Sequence, residues 1–320
     1  MNEKVVVNKD KEEEVLAELD AFAELPDAPP KRKFRLSWVG WAATGVVVFW
    51  LVICLIGPSI APFHEMDIDG DDSFLSYGDP DYAPDGGFVA NEYGTFYLGT
   101  DYLARDTLSR ILFGARNTIG ISLAATLLAY LMGITLGILA AVKGGWIDMA
   151  ISRVNDAILA LPTLMMGLIV VAALGTSISV LIGTAAVIYA TSVFRIARAL
   201  GLDIMVQDFV EAAQTRGEGI WWIIKSEVLP NAAMPLATDF GLRLVFVVLF
   251  VSSMSFLGLG VPPPASDWGS MVRENLAGLT YGSWAAIWPA FAIASFTIAV
   301  NLIVDDISAK SGGSLAKKMV

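Results

Sequence analysis

The uncharged run Ala157–Phe194, AILALPTLMMGLIVVAALGTSISVLIGTAAVIYATSVF, decides how this chain folds. It holds 38 residues without a single Asp, Glu, Lys or Arg. A membrane-spanning helix needs roughly 20 mostly apolar residues. The run is too long for one span, and it is interrupted at Gly175-Thr176-Ser177. It therefore reads as two spans joined by a tight turn.

Four further tracts share this character: Trp38–Phe63, Asn117–Val142, Leu244–Val261 and Asn275–Val304. The fifth span extends the tract at Leu244 back to about Ala232, across Asp239 and Arg243. The expectation is an all-α membrane protein of six transmembrane helices.

Composition agrees. Of 320 residues, 55% are apolar and only 17% charged, against about 25% charged in soluble domains. The net charge of −11 sits mostly in Met1–Asp27 and His64–Asp106, and it gives nucleic acid no basic surface. The single cysteine, Cys54, lies inside the first span, so no disulfide forms within the chain. The single histidine, His64, leaves no His-based metal site or catalytic triad. Asp67, Asp69, Asp71 and Asp72 lack the glycine and terminal glutamate of a calcium loop, so no metal site is expected. The first span is too long, and follows too acidic a segment, to be a cleaved signal.

Basic residues set the orientation. Lys31, Arg32, Lys33 and Arg35, then Lys143 and Arg153, then Arg195, Arg198, Arg216 and Lys225, then Lys310, Lys317 and Lys318 all fall on one side of a six-span chain. That side is cytoplasmic, and both termini lie there. The divisions expected are a cytoplasmic acidic tail at 1–35 and a first span at 36–63. An external loop with an amphipathic helix comes next at 64–116, then a core of five spans at 117–306. A cytoplasmic tail closes the chain at 307–320.

Within the external segment, Leu98–Arg116 reads as a helix capped by Gly99-Thr100-Asp101. Asp101 with Arg105 and Asp106 with Arg110 stand four apart, as ion pairs on a helix do. Such a helix either lies along the membrane surface or offers a docking face to an external partner.

The core carries a polar cytoplasmic loop at 198–231. Asp208 is placed to cap a helix from Phe209 whose Ala212 and Ala213 admit a close neighbour. Gly217 and Gly219 end it. A second helix begins near Ile220, carries Trp221 and Trp222, and ends at Leu229-Pro230, where the fifth span starts. Two short helices about a glycine elbow make a rigid knuckle, suited to transmitting force or simply to lying against the membrane.

Several ordered blocks resemble the permease family of dipeptide, oligopeptide and nickel ABC importers, its C-type subunit in particular. They are Leu98-Gly99-Thr100-Asp101 with Arg105-Asp106, Ser109-Arg110 and Gly114-Ala115-Arg116; Gly144-Gly145-Trp146-Ile147-Asp148 with Arg153, Asp156 and Leu161-Pro162; Glu211-Ala212-Ala213 with Gly217 and Leu229-Pro230-Asn231; Ser255–Val261 with Pro263 and Trp268-Gly269; and Asn301-Leu302 with Asp305. The resemblance implies a type I ABC importer permease fold in the bacterial inner membrane. It implies a second, homologous permease subunit, two ATPase subunits that bind ATP and magnesium, and an extracytoplasmic solute-binding protein. It carries ATPase coupling onto Glu211, Ala212, Ala213, Gly217, Leu229 and Pro230, and a cytoplasmic-mouth ion pair onto Arg153 and Asp156. The chain departs from the family pattern at Glu227 and Val251, and lacks its C-terminal basic elements after Asp306. Solutes of the family include peptides, opines and nickel chelates.

Asp239 and Arg243, four apart inside the fifth span, are each expensive in hydrocarbon. They either lock that span to a neighbouring subunit or line the pathway. No phosphate-binding loop of the Gly-Lys-Ser/Thr type is present, so no catalytic residue is expected here and ATP hydrolysis belongs to a separate chain. The rival reading, an ion-coupled secondary transporter, would call for inverted repeats; none is evident.

Overall fold

The computed structural model describes residues 36–79 and 87–316. The acidic tail, its basic flank at Lys31–Arg35, and Lys317 and Lys318 lie outside the described residues.

Helix α1, Trp38–Ile60, opens the bundle; the Ser37 hydroxyl caps it by accepting from the Gly40 amide at 3.0 Å. A short antiparallel hairpin comes next, β1 (Val89–Asn91) with β2 (Gly94–Phe96). Phe63 stacks on Phe96 at 4.9 Å between centroids, giving this external segment its own small core with Leu75 and Val89.

Helix α2 runs unbroken from Thr107 to Lys143. At 1.5 Å per residue it is about 55 Å long, well beyond the ~30 Å of a hydrocarbon core. The separate external helix expected at Leu98–Arg116 is therefore a correction. Residues before Thr107 form turns and a bridge between Thr100 and Asp106, and Thr107–Arg116 is the outer end of the second span. No helix breaker separates Arg116 from Asn117. The apolar face anticipated there is real, but it turns inward: Ile111, Leu112, Ala115 and Ile119 are buried in a cluster with Trp50, Trp268 and Phe296.

Next come α3 (Gly145–Leu159) and α4 (Thr163–Leu174), bent by 89° at Ala160–Pro162. The third span was expected as one helix; it is broken. Proline disfavours helical backbone at Leu161 before it, and the 12-residue α4 covers about 18 Å, too little to cross alone. Among the described residues five helices are long and apolar enough to span, six if this bent pair counts as one.

Helix α5, Ile178–Met205, starts where the turn was expected: Gly175 has φ +91°, and Ser177 caps the helix by accepting from the Val180 amide. It packs along α2 through a glycine seam. A Cβ on Gly133 would meet the Val193 Cβ at 2.6 Å and the Ala190 carbonyl oxygen at 2.8 Å; one on Gly137 would meet the Ala197 Cβ at 2.8 Å. Small residues let helix backbones approach where both sides are apolar.

Helices α6 (Asp208–Thr215) and α7 (Ile220–Ile223) come after it; a π-helical turn, Ile224–Val228, joins α7 to α8, Leu229–Phe256. Outside the bundle's far end sit α9, Trp268–Glu274, and a 3₁₀ turn, Leu276–Tyr281. The last span, α10, begins only at Ile287 and ends at Ala316, not at Asn275 as the uncharged tract suggests. Fully buried Trp268 ties α9 inward: its indole N–H donates to the Ile111 carbonyl at 3.1 Å, and its ring meets that of Trp50 at 4.8 Å.

Candidate functional site

Three clusters carry chemistry, one at each end of the bundle and one at mid-depth.

At the outer end, Asp101 is fully buried and organises two cations. Its Oδ1 accepts from the Leu103 and Arg105 amides at 2.8 and 2.9 Å. Its Oδ2 accepts from Arg105 Nε at 2.8 Å and Arg110 Nη1 at 2.5 Å. Arg110 also donates to Glu274 Oε2 at 3.2 Å through both terminal nitrogens. Two acids and two guanidiniums balance in charge, as buried ions require. Asp106 is not paired with Arg110; it caps α2, its Oδ2 accepting from the Ser109 amide at 2.7 Å. Its burial pushes the carboxyl above the ordinary range, against the hydrogen bonds from Ser109. Asp101, Arg105, Asp106 and Arg110 were expected to face an external partner. All four are buried, with Arg105 the most exposed at 8%. They fasten the external segment to α9 instead. The sequence pattern missed Glu274, which no local spacing links to Arg110.

At the opposite end of the bundle, α6 sits on a cluster of Ile138, Ala197, Val210, Ile223, Val228, Ala232 and Leu236. Its first helical residue is Asp208 itself, preceded by Gln207. Gly217 ends it with φ +84°. The Gly217 amide donates to the Gln214 carbonyl and the Glu218 amide to the Ala213 carbonyl, at 2.9 and 3.2 Å, the paired bonds of a Schellman end. Phe209, Glu211, Ala212, Arg216 and Gly217 are exposed, whereas Ala213 is fully buried beside Val210. Ala213 thus seats the knuckle on its own bundle; Ala212, on the outer face, is the alanine free to meet another surface. The expected break at Leu229-Pro230 is absent, because α7, the π turn and α8 form one continuous helix. Pro230 has no N–H for the Ser226 carbonyl and its ring crowds that group; the wider π turn, in which the Leu229 amide donates to the Ile224 carbonyl, accommodates it. The second half of the knuckle, α7, is therefore one helix with the fifth span, and α6 meets it across the Gly217–Gly219 elbow.

Arg153 and Asp156 are both exposed and form no ion pair with each other. The ion pair that exists at this end joins Asp148 of α3 to Arg198 of α5, at 2.5 Å for Nε to Oδ1 and for Nη2 to Oδ2. Asp148 belongs to the block Gly144–Asp148, yet only the fold reveals its partner.

At mid-depth, Asp239 of α8 accepts from the Tyr130 hydroxyl of α2 at 2.6 Å and from Arg243 Nε at 3.2 Å. Arg243 Nη2 stands 3.2 Å from the second carboxylate oxygen. Tyr189 of α5 donates to the Phe246 carbonyl nearby at 3.0 Å. A hydroxyl inside an uncharged tract, as at Tyr130, is the one sequence signal that such a carboxylate has a partner. Toward the outer end, a cavity of about 620 Å³ opens between α4, α8, α9 and α10, lined by apolar side chains with Ser252, Ser253 and Thr297. Among the described residues no cluster of His, Cys, Asp and Glu could hold a metal ion.

Residues 133–309 match the family described as binding-protein-dependent transport system inner membrane component. A glutathione transport system permease protein, GsiD, of Escherichia coli is 30% identical over 280 residues, covering 86% of each chain. The GsiD of Pectobacterium atrosepticum is 31% identical over 66% of this chain and 70% of its own. A dipeptide transport system permease protein, DppC, of Alkalihalophilus pseudofirmus is 31% identical over 66% and 69%. Among solved structures, an inward-facing MetNI methionine ABC transporter matches with a TM-score of 0.50 at 16% identity, covering 62% of this chain and 96% of that one. At that identity the likeness is one of fold.

Proposed function

The chain belongs to the family of binding-protein-dependent transport inner membrane components, and from that premise we propose that it is one permease subunit of an ATP-driven importer of peptides or a similar small solute. It is a multi-pass inner membrane protein and a transport permease. In this reading it forms half of a pathway with a second, homologous permease. Two ATPase chains bind ATP and magnesium below it, and an extracytoplasmic protein delivers solute above. Both termini are cytoplasmic.

The observation that carries the reading is the knuckle Asp208–Gly219. Its inner face, Val210 and Ala213, is buried in the bundle while Glu211, Ala212, Arg216 and Gly217 are presented outward. The elbow Gly217–Gly219 joins it to α7, which continues unbroken into α8. Displacing the knuckle therefore tilts α8 as a lever, and with it the mid-depth Asp239 and Arg243 and the outer cavity. Nucleotide-driven closure below becomes rearrangement of the pathway above. The peptide class is suggested by the glutathione and dipeptide permeases it resembles.

The test is chemical. Ala212→Cys in a Cys54→Ala background, treated with a short bifunctional thiol reagent in membranes holding the whole complex, yields a crosslink to an ATPase chain. Uptake in vesicles stops when ATP is withdrawn. Uptake that continues without ATP, from a chain that copurifies with no ATPase, would overturn the reading in favour of an ion-coupled carrier.

A further inference from the structure

Arg243 lies near the midpoint of α8, with about 20 Å of helix on either side. A cation there does not face lipid cheaply; it faces water or protein. Its partner Asp239 is fully engaged, held by Tyr130 and by Arg243 itself and only 9% exposed. The guanidinium is not. Its side chain keeps 19% exposure, its Nε and Nη2 are taken by Asp239, and Nη1 has no partner among the described residues. Phe246 lies 5.9 Å from the cation, and Tyr130, which holds Asp239, packs edge-on against Phe240 at 5.0 Å.

From Arg243 a stripe of α8, exposed Leu242, Phe246 and Leu249 and then half-buried Ser253, climbs to the outer cavity, which Leu249 and Ser253 also line. The cavity offers hydroxyls but no charge. The cation at the foot of that stripe is thus the first charged group an incoming solute meets on this helix. A planar guanidinium with N–H groups to spare, in low-dielectric walls, is matched to a carboxylate. Because Asp239 already takes Nε and Nη2, the free Nη1 suits one carboxylate rather than a phosphate, which needs several donors.

We propose that Arg243, braced by Asp239 and Tyr130, is an anion subsite at the middle of the pathway that takes the carboxylate of the solute. This deepens the importer reading and rests on it. The experiment uses the complete complex in proteoliposomes, with ATP inside and delivery protein outside. Uptake is compared for a labelled trialanine with a free C-terminal carboxylate and for its C-terminal amide. Any preference of the delivery protein enters both complexes equally and cancels when variants are compared with wild type.

The doubly neutral Asp239→Asn, Arg243→Gln variant keeps amide hydrogen bonds in place of the ion pair and leaves no orphaned charge. It is expected to shift the acid-to-amide uptake ratio roughly tenfold or more toward the amide, the range of one charged hydrogen bond. Asp239→Asn alone retains the cation and keeps the acid preference. An unchanged ratio in the double variant, with both peptides slowed alike, makes the pair a subunit seam and overturns the subsite. Absence of ATP-dependent uptake of either peptide by the wild type overturns the peptide class of the importer reading, and the subsite with it.

Discussion

Arg110 and Asp101 lock together inside the protein: Nη1 donates to Oδ2 at 2.5 Å, with Asp101 fully buried and Arg110 only 2% exposed. The same arginine holds Glu274 of α9, so one residue joins the external segment to the cap of the bundle. Removing one partner of a buried ion set leaves a charge stranded, which costs about 3–5 kcal/mol. Asp101→Ala leaves two guanidiniums sharing Glu274, one positive charge uncompensated, and is expected to abolish the folded peak in size-exclusion chromatography of the detergent extract. Glu274→Gln, whose side chain is 13% exposed, removes only the outer member and is expected to cost less. Equal behaviour of the two variants contradicts this ordering.

The seam between α2 and α5 gives a second prediction, with an internal control. Gly133→Ala forces a methyl into the Val193 side chain and the Ala190 backbone, and overpacking of this kind costs about 1–3 kcal/mol. Gly120 lies on the same helix with nothing within 4 Å of the position a Cβ would take. Gly120→Ala there is expected to be neutral or to stabilise by about 0.5–1 kcal/mol. Thermal melting of the two purified variants in one detergent separates them, Gly133→Ala below wild type and Gly120→Ala at or above it.

The range of each interaction decides how much of this was legible. Charge-free length places α1, α2, α5, α8 and α10, because a bilayer demands it locally. Gly175 and Ser177, and Gly217 with its positive φ, mark turns that need no tertiary help. The outer helix failed because an apolar stripe at Leu108–Leu112 looks the same whether it covers lipid or Trp268. The Arg153–Asp156 pair failed because both side chains stay exposed, where solvent competes with the pairing that their spacing allows. Glu274 and Tyr130 stayed hidden because their partners lie 164 and 109 residues away, and no period in a single sequence reports such distances. Ala213 was assigned to the wrong face for a related reason: an alanine suits either a foreign groove or its own core.

Gly217 supplies a third prediction. Its φ of +84° is open to glycine and strained for residues with a Cβ, while no neighbouring atom would meet that Cβ. Gly217→Ala therefore acts through the backbone alone and costs about 1 kcal/mol at the elbow; Asn, which tolerates this region better, costs less. In reconstituted complexes ATP-dependent uptake is expected to fall in the order wild type, Gly217→Asn, Gly217→Ala, with the spans still assembled. A Gly217→Ala complex with wild-type uptake would remove the elbow from the coupling route.

Asp106 yields a dependence on pH whose sign is fixed by burial. Its carboxyl is held above the ordinary range chiefly by desolvation, with the Ser109 hydrogen bonds opposing and the Asp101 charge adding to the shift. An acid whose folded pKa exceeds its unfolded value of about 3.9 favours the fold fully below that value. The contribution is lost as pH rises through the folded pKa. Asp106→Asn keeps an oxygen for the Ser109 amide and never charges. Melting curves in detergent between pH 4 and pH 7 are thus expected to converge at the acid end. At pH 7 the variant should melt at or above the wild type. The difference between the two curves isolates this carboxyl from Asp267, which burial also raises. A variant that melts lower at pH 7 than the wild type, with the gap closing on acidification, would mean that the ionised carboxylate is the stabilising form and that the cap depends on its charge.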